Sequence, residues 1–408
     1  MRILITDDSS TLPASVQDMF ARAPVGKSAA TTPSVESVIL AFTGGAAGAA
    51  AAPSKVASAV SSAEGCPPPE PLPPCPPCSL HDQPELLATI LDAIGMALLN
   101  RGCIDAGSRF VEAARDIRLA TFGKNHPFTA ASYNSYARVL RIRDDLIEAE
   151  KEVGKAIVIN RKVYGSSGLP LAANMNELGC VRLYQGDYSG ALKAAERGLA
   201  ILKKCKVYNE DPNTSRLLDV KGRALLGLRK LGPASTALAL AVKIDQKQVG
   251  VDHPKYATHR ANLATVQEEQ LKFAEAEQGY LQAVRVYEQV LGRTGHPNLI
   301  DTYANLGSLL TRTRQFATAK EHLCKALGLD EQLRGPGHTL VGNDHALLGR
   351  LYLEMGNVPG ACDQFNKALA IYTANVKCKR LPKKHPYIAD VQQWLKKAQC
   401  PPAGAKAS

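Results

Sequence analysis

The sequence predicts an all-α solenoid of about seven stacked helical hairpins closed by a capping helix, and an internal repeat of seven units kept in four registers predicts it. A small residue recurs inside an apolar helical pattern at Gly95, Ala137, Gly179, Gly222, Ala264, Gly307 and Gly349, every 42 or 43 residues. Three further registers keep that period. Nine residues on stands a larger apolar or aromatic residue, from Ile104, Leu146 and Tyr188 to Leu231, Phe273, Phe316 and Val358. Twelve and nineteen residues on stand small residues, such as Ala149 and Ala156, or Ala319 and Ala326. Those two are two helical turns apart and share a face, which admits a neighbouring helix closely. A hairpin built this way cannot bury its apolar face alone and must stack.

Each element follows from the local sequence. Residues 1–84 read as a disordered head, rich in Ala, Gly, Ser and Thr without an apolar period. The head ends in a proline spacer around Cys66, Cys75 and Cys78, where proline density forces extended polyproline II. The repeat array spans 85–400. His126-Pro127, His253-Pro254 and His296-Pro297 each stand just before a hairpin, where proline suits the first helical turn. Asp211-Pro212 and Pro170 do the same. Gly102, Gly186-Asp187 and Gly356-Asn357 mark turns inside hairpins. His385-Pro386 opens a solitary helix over 386–399, whose Lys396-Lys397 suits the polar outer face of an end cap. Residues 401–408 read as a disordered tail.

Composition narrows the function classes. Aromatic residues are 5% of the chain, which disfavours a β-rich core. No apolar run is long enough to span a membrane. Asp7, Asp8 and Asp18 oppose a secretory or mitochondrial leader. Ten cysteines without a signal peptide read as reduced thiols in the cytosol. Residues 1–84 carry four Lys/Arg against seven Asp/Glu, leaving the remainder at +14 of the total +11. A basic folded body points to acidic partners. No phosphate loop, nucleophile elbow or metalloprotease helix is present, so no enzyme, no catalytic residue and no cofactor are expected.

The Gly/Ala, Tyr/Phe, Ala, Ala pattern resembles that of tetratricopeptide repeats. The 42-residue period and the His-Pro connectors, best seen in Gly295 to Gly307 and Asp252 to Ala264, resemble the longer repeats of kinesin light chain. The resemblance covers about 85–400. It implies a right-handed superhelix and a protein-binding scaffold in a cytoplasmic, cytoskeleton-associated assembly. Asn262 and Asn305 match a family position that is Glu177, Val220 or Leu347 in other units, and the family's heptad coiled coil is missing.

The resemblance also implies that the first helix of each pair lines the concave face. Groove residues are then Asn134, Arg138, Arg141, Asn176, Tyr184, Arg216, Arg223, Arg312 and Arg350, with Asp219, Thr265, Glu268 and Glu269 beside them. Arg offers a planar fork to carboxylates and Asn can clamp a peptide backbone, so an acidic peptide along units two to four is the leading reading. An ordinary solvated face stands against it. An RNA-associated helical repeat, or a spacer using its convex face, are the alternatives; a groove poor in aromatics makes nucleic acid the weaker one. Cys66, Cys75, Cys78 and His81 form a weak candidate metal set, opposed by the stiffness of the proline spacer.

Overall fold

The structure is a computed structural model that describes residues 84–100, 103–291 and 296–400. The head, the proline spacer with its Cys66, Cys75, Cys78 and His81 set, and the tail lie outside the described residues.

Fifteen helices are present among the described residues, forming seven antiparallel pairs and one final helix. The pairs are α1 (Pro84–Asn100) with α2 (Ile104–Phe122), α3 (Pro127–Ile142) with α4 (Leu146–Tyr164), and α5 (Pro170–Gln185) with α6 (Tyr188–Lys204). Next come α7 (Asn213–Gly227) with α8 (Leu231–Gln248), and α9 (Pro254–Glu269) with α10 (Phe273–Leu291). The last are α11 (Pro297–Arg312) with α12 (Phe316–Arg334), and α13 (Thr339–Glu354) with α14 (Val358–Lys377); α15 (Pro386–Lys397) closes the array. The larger residue nine after each landmark is the first residue of every second helix. It occupies the corner where the pair meets.

The small landmarks work as expected. A Cβ on Gly95 would lie 2.7 Å from Val111 and 2.9 Å from the Gly107 carbonyl, so α1 and α2 touch through backbone. The fully buried alanines of later units do the same, with Tyr280, Tyr287, Tyr303 and Phe365 filling the wider gaps. The turn inside each of the pairs from unit two to unit seven has one left-handed residue. Gly186 and Gly356 supply it at φ 78°, but Asp144, Arg229, Leu271 and Arg314 occupy the same position at φ 60° to 69°.

The connector histidines have two roles, and only the first was legible in the sequence. Each is an extended N-cap whose Nδ1 accepts the backbone N–H two residues on. The donors are Phe128 for His126, Lys255 for His253, Asn298 for His296, Leu340 for His338 and Tyr387 for His385, at 3.1–3.3 Å. Acceptance at Nδ1 leaves the proton of a neutral ring on Nε2. In His296, His338 and His385 that proton is used. Nε2 of His338 donates to the Ile142 carbonyl at 3.1 Å, and Nε2 of His385 to the Tyr184 carbonyl at 2.7 Å. His296 bonds the Asn100 carbonyl in the same way. The acceptors stand at or next to the C-terminal ends of α1, α3 and α5, where helix carbonyls lack internal partners.

These contacts join residues 196, 196 and 201 apart in sequence, between four and five repeats. The solenoid therefore coils back on itself: the connectors before units six, seven and the cap rest on the turns of units one, two and three. Asp144 strengthens this seam by accepting from Thr339 N at 2.9 Å and from Thr339 Oγ1, and Arg380 pairs with Asp145 at 3.4 Å.

The expectation of reduced thiols fails at one place. Cys362 in α14 and Cys400 after α15 form a disulfide, because the cap folds over α14 and brings their Cα atoms to 5.6 Å. Cys103, Cys180, Cys205, Cys324 and Cys378 are free thiols.

Candidate functional site

The first helix of each pair carries the predicted groove residues, and that face is not equally open along the array. In units two to four it is sealed. Arg138, Arg141 and Arg223 are 4%, 4% and 2% exposed. Arg141 Nε donates to Glu177 Oε1 at 2.7 Å, and its guanidinium stacks 5.5 Å from the Tyr184 ring centroid. Burial works against its charge, but Glu177 holds it above its ordinary range. Arg138 donates to Asn100 Oδ1 at 2.5 Å; burial, and then the neighbouring Arg141, push it down to about 9. Arg223 pairs with Asp219 at 3.1 Å, and Asn262 donates to the other Asp219 oxygen at 2.8 Å.

The polar residues of unit two are also engaged. Asn134 accepts from Asn174 at 2.9 Å, and Asn174 accepts from Asn160 at 2.7 Å, an amide chain running from α3 through α5 to α4. Asn176 and Arg216 are half-buried. Tyr184 feels Arg141 from its own neighbourhood and Asp301 and Arg334 from unit six, and burial pushes its phenol up. The second superhelical turn thus reaches the arginine-rich face of the first. Position arithmetic placed these side chains on the inner face, but it carried no information on how tightly that face closes.

The open space lies further along. A cavity of about 590 Å³ is walled by Tyr188 of unit three, by units four to seven and by α15. Glu268 and Glu269 line it, and Arg312 bonds both, at 3.1 and 3.2 Å. Arg229 pairs with Glu269 at 2.5 Å. Tyr280 donates to Thr265 at 3.0 Å and Glu268 at 3.2 Å. Burial raises the Glu268 carboxyl above its usual range, with Arg312 opposing.

Arg350 is the member of the predicted set that this cavity leaves available. Its guanidinium lies 5.2 Å over the Trp394 indole, and it makes no ion pair or hydrogen bond among the described residues. Burial lowers it below its ordinary range, with Glu268 opposing. Beside it, the Nδ2 groups of Asn305 and Asn343 are buried and have no acceptor among the described residues. Buried amide donors are normally satisfied by protein, ordered water or a ligand, so this pair makes the cavity wall a polar, donor-bearing surface. Asn343 sits six before its landmark, an inner-face register that could have found it. Trp394 reads from sequence as packing only, yet it forms a cavity wall between Arg350 and Phe365, whose ring is 6.3 Å away.

No group of three His, Cys, Asp or Glu side chains converges on a metal position among the described residues, and no described helix is long and apolar enough to cross a membrane.

Comparison with known proteins finds the same repeat along more than half of the chain. Tetratricopeptide repeat models match residues 86–152, 132–204 and 298–374, and a second such model matches 257–298. A clustered mitochondria protein homolog from Debaryomyces hansenii is 24% identical over 217 residues, 53% of this chain but only 16% of that protein. Among solved structures, a Rap protein complexed with competence and sporulation factor is similar at TM-score 0.52 and 12% identity, over 77% of this chain and 86% of its own. A Podosopora anserina putative kinesin light chain with nearly identical repeats is 20% identical at TM-score 0.40, over 51% of this chain and 97% of its own.

Proposed function

Because the chain belongs to the tetratricopeptide repeat proteins, whose fold serves as a protein-interaction scaffold, we propose that it binds an extended, carboxylate-bearing partner segment in the cavity between units four to seven and α15. One observation carries this reading: Arg350, Asn305 and Asn343 present donors to a single cavity and have no acceptor there among the described residues. Amide groups suit the carbonyls of an extended backbone, and a guanidinium braced on an indole suits a carboxylate. Glu268 and Glu269, already held by Arg312, would steer the carboxylate toward Arg350 and away from the opposite wall. The binding segment thereby moves from units two to four, where the arginines are committed to Glu177 and Asp219, to the C-terminal half. The basic balance of residues 85–408 supports an acidic partner. The kinesin-light-chain-like period supports a cytoplasmic, cytoskeleton-associated setting.

A displayed library of random peptides panned on the full chain tests the proposal. Selection should return an acidic consensus that Arg350→Glu abolishes and that Asn343→Ala weakens by roughly tenfold, the loss of one hydrogen bond to a partner. No enrichment, or a consensus indifferent to both substitutions in proteins of unchanged circular dichroism, would overturn it.

A further inference from the structure

The seam implies more than an internal contact. It is a heterologous interface in which the connector edge of one superhelical turn seats on the turn edge of the turn before it. The array is long enough to make this contact three times, at units one, two and three. Among the described residues, that leaves the turn edge of units four to seven uncovered at one end, and the connector edge before units two to five uncovered at the other.

We propose that copies of this chain stack head to tail, the connector edge of one seating on the turn edge of the next and continuing the superhelix. Two observations support it. The first is geometric continuity, since the bare edges are the same structural positions that pair inside the molecule. His126 has the backbone and the Nδ1 cap of the seam histidines, stacks on Phe122 at 4.7 Å, and its Nε2 makes no hydrogen bond among the described residues. It stands ready to donate to a helix-terminal carbonyl of a second copy.

The second is exposed apolar surface at both ends. Leu271 is 66% and Met355 47% exposed on the turn edge; Phe128, Tyr164 and Leu169 are 39%, 47% and 42% exposed on the connector edge. Leu271 holds the same left-handed turn position as Asp144, which in unit two is covered by Thr339. A heterologous contact that does not close on itself generates open chains, not a closed dimer.

The test is sedimentation velocity on the full chain over a wide concentration range, with Phe128→Glu blocking the connector edge and Leu271→Glu blocking the turn edge. Both sites are exposed, so circular dichroism should match the wild type. The wild type should grow past twice the mass of one chain as concentration rises. Each variant alone should stay at the mass of one chain. An equimolar mixture should stop at two chains, because one good edge of each kind remains. A wild type that stays single, a plateau at two chains, or a mixture that fails to associate overturns the proposal.

Discussion

Replacing Asp144 with glycine isolates what holds one superhelical turn to the next. Asp144 is 3% exposed and accepts two hydrogen bonds from Thr339, one from the backbone N–H at 2.9 Å and one from the hydroxyl. Hydrogen bonds to a charged group are worth about 1.5–3 kcal/mol each, and two on one oxygen add to less than their sum. Their loss should therefore cost about 2–3 kcal/mol. Glycine is the right replacement because φ is 69°, where alanine would add its own steric penalty of roughly 1 kcal/mol. The assay is amide hydrogen exchange at Thr339, the donor itself. Protection there should fall about 30- to 150-fold, at 1.4 kcal/mol per factor of ten. Asp145→Ala is the control. Its partner Arg380 is half exposed and 3.4 Å away, so that change should cost under about 1 kcal/mol. If Thr339 keeps full protection in Asp144→Gly, the turns are not joined through this residue and the seam argument fails.

Two further outcomes follow from the same geometry. Burial depresses His296 from 6.5 to about 4, so the unfolded chain binds the extra proton and stability falls as pH drops between those values, by about 3 kcal/mol in full. Urea midpoints against pH should show that slope, and His296→Asn, which keeps a cap acceptor but does not titrate, should flatten it; an unaltered slope refutes the assignment. The Cys362–Cys400 disulfide spans 38 residues, so reduction by a dithiol should destabilise the cap by up to about 4 kcal/mol on the chain-entropy account. Trp394 is the single tryptophan and sits in the cap, so its fluorescence transition should move to lower urea on reduction while helix loss at 222 nm lags behind it; coincident, unshifted curves would argue against a separately stapled cap.

Nearly all of the architecture was legible because each repeat needs the same small and large residues at the same registers. Gly95 and Gly107 announce a close approach, and His-Pro announces a helix start, from local chemistry alone. What the sequence could not show depends on accumulation. Each unit adds a small rotation, and only after four to five of them does His338 arrive at Ile142. No local signal marks an acceptor 196 residues away. The same blindness explains the arginines. Register alone assigns Arg138, Arg141 and Arg223 to the inner face, but whether they are exposed depends on where the second turn comes to rest. Asp219 was visible as a groove-register acid and Glu177 only as a departure from a family asparagine, without any sign that the pairs would be sealed. Cys362 and Cys400 have no motif spacing, and only the fold of the cap brings them together.

The seam also gives the molecule two mechanical regimes. An unstitched solenoid stretches like a soft spring, because each unit touches only its neighbours and every interface can flex a little. Three stitches between successive coils change that. They lie side by side across one gap, so an axial pull loads them in parallel, and the coil resists as a stiff tube until they part together. Beyond that point extension is cheap, and the arginine-lined face of the first coil is uncovered. Tension along the axis is thus converted into exposure of a charged surface that the resting coil keeps hidden.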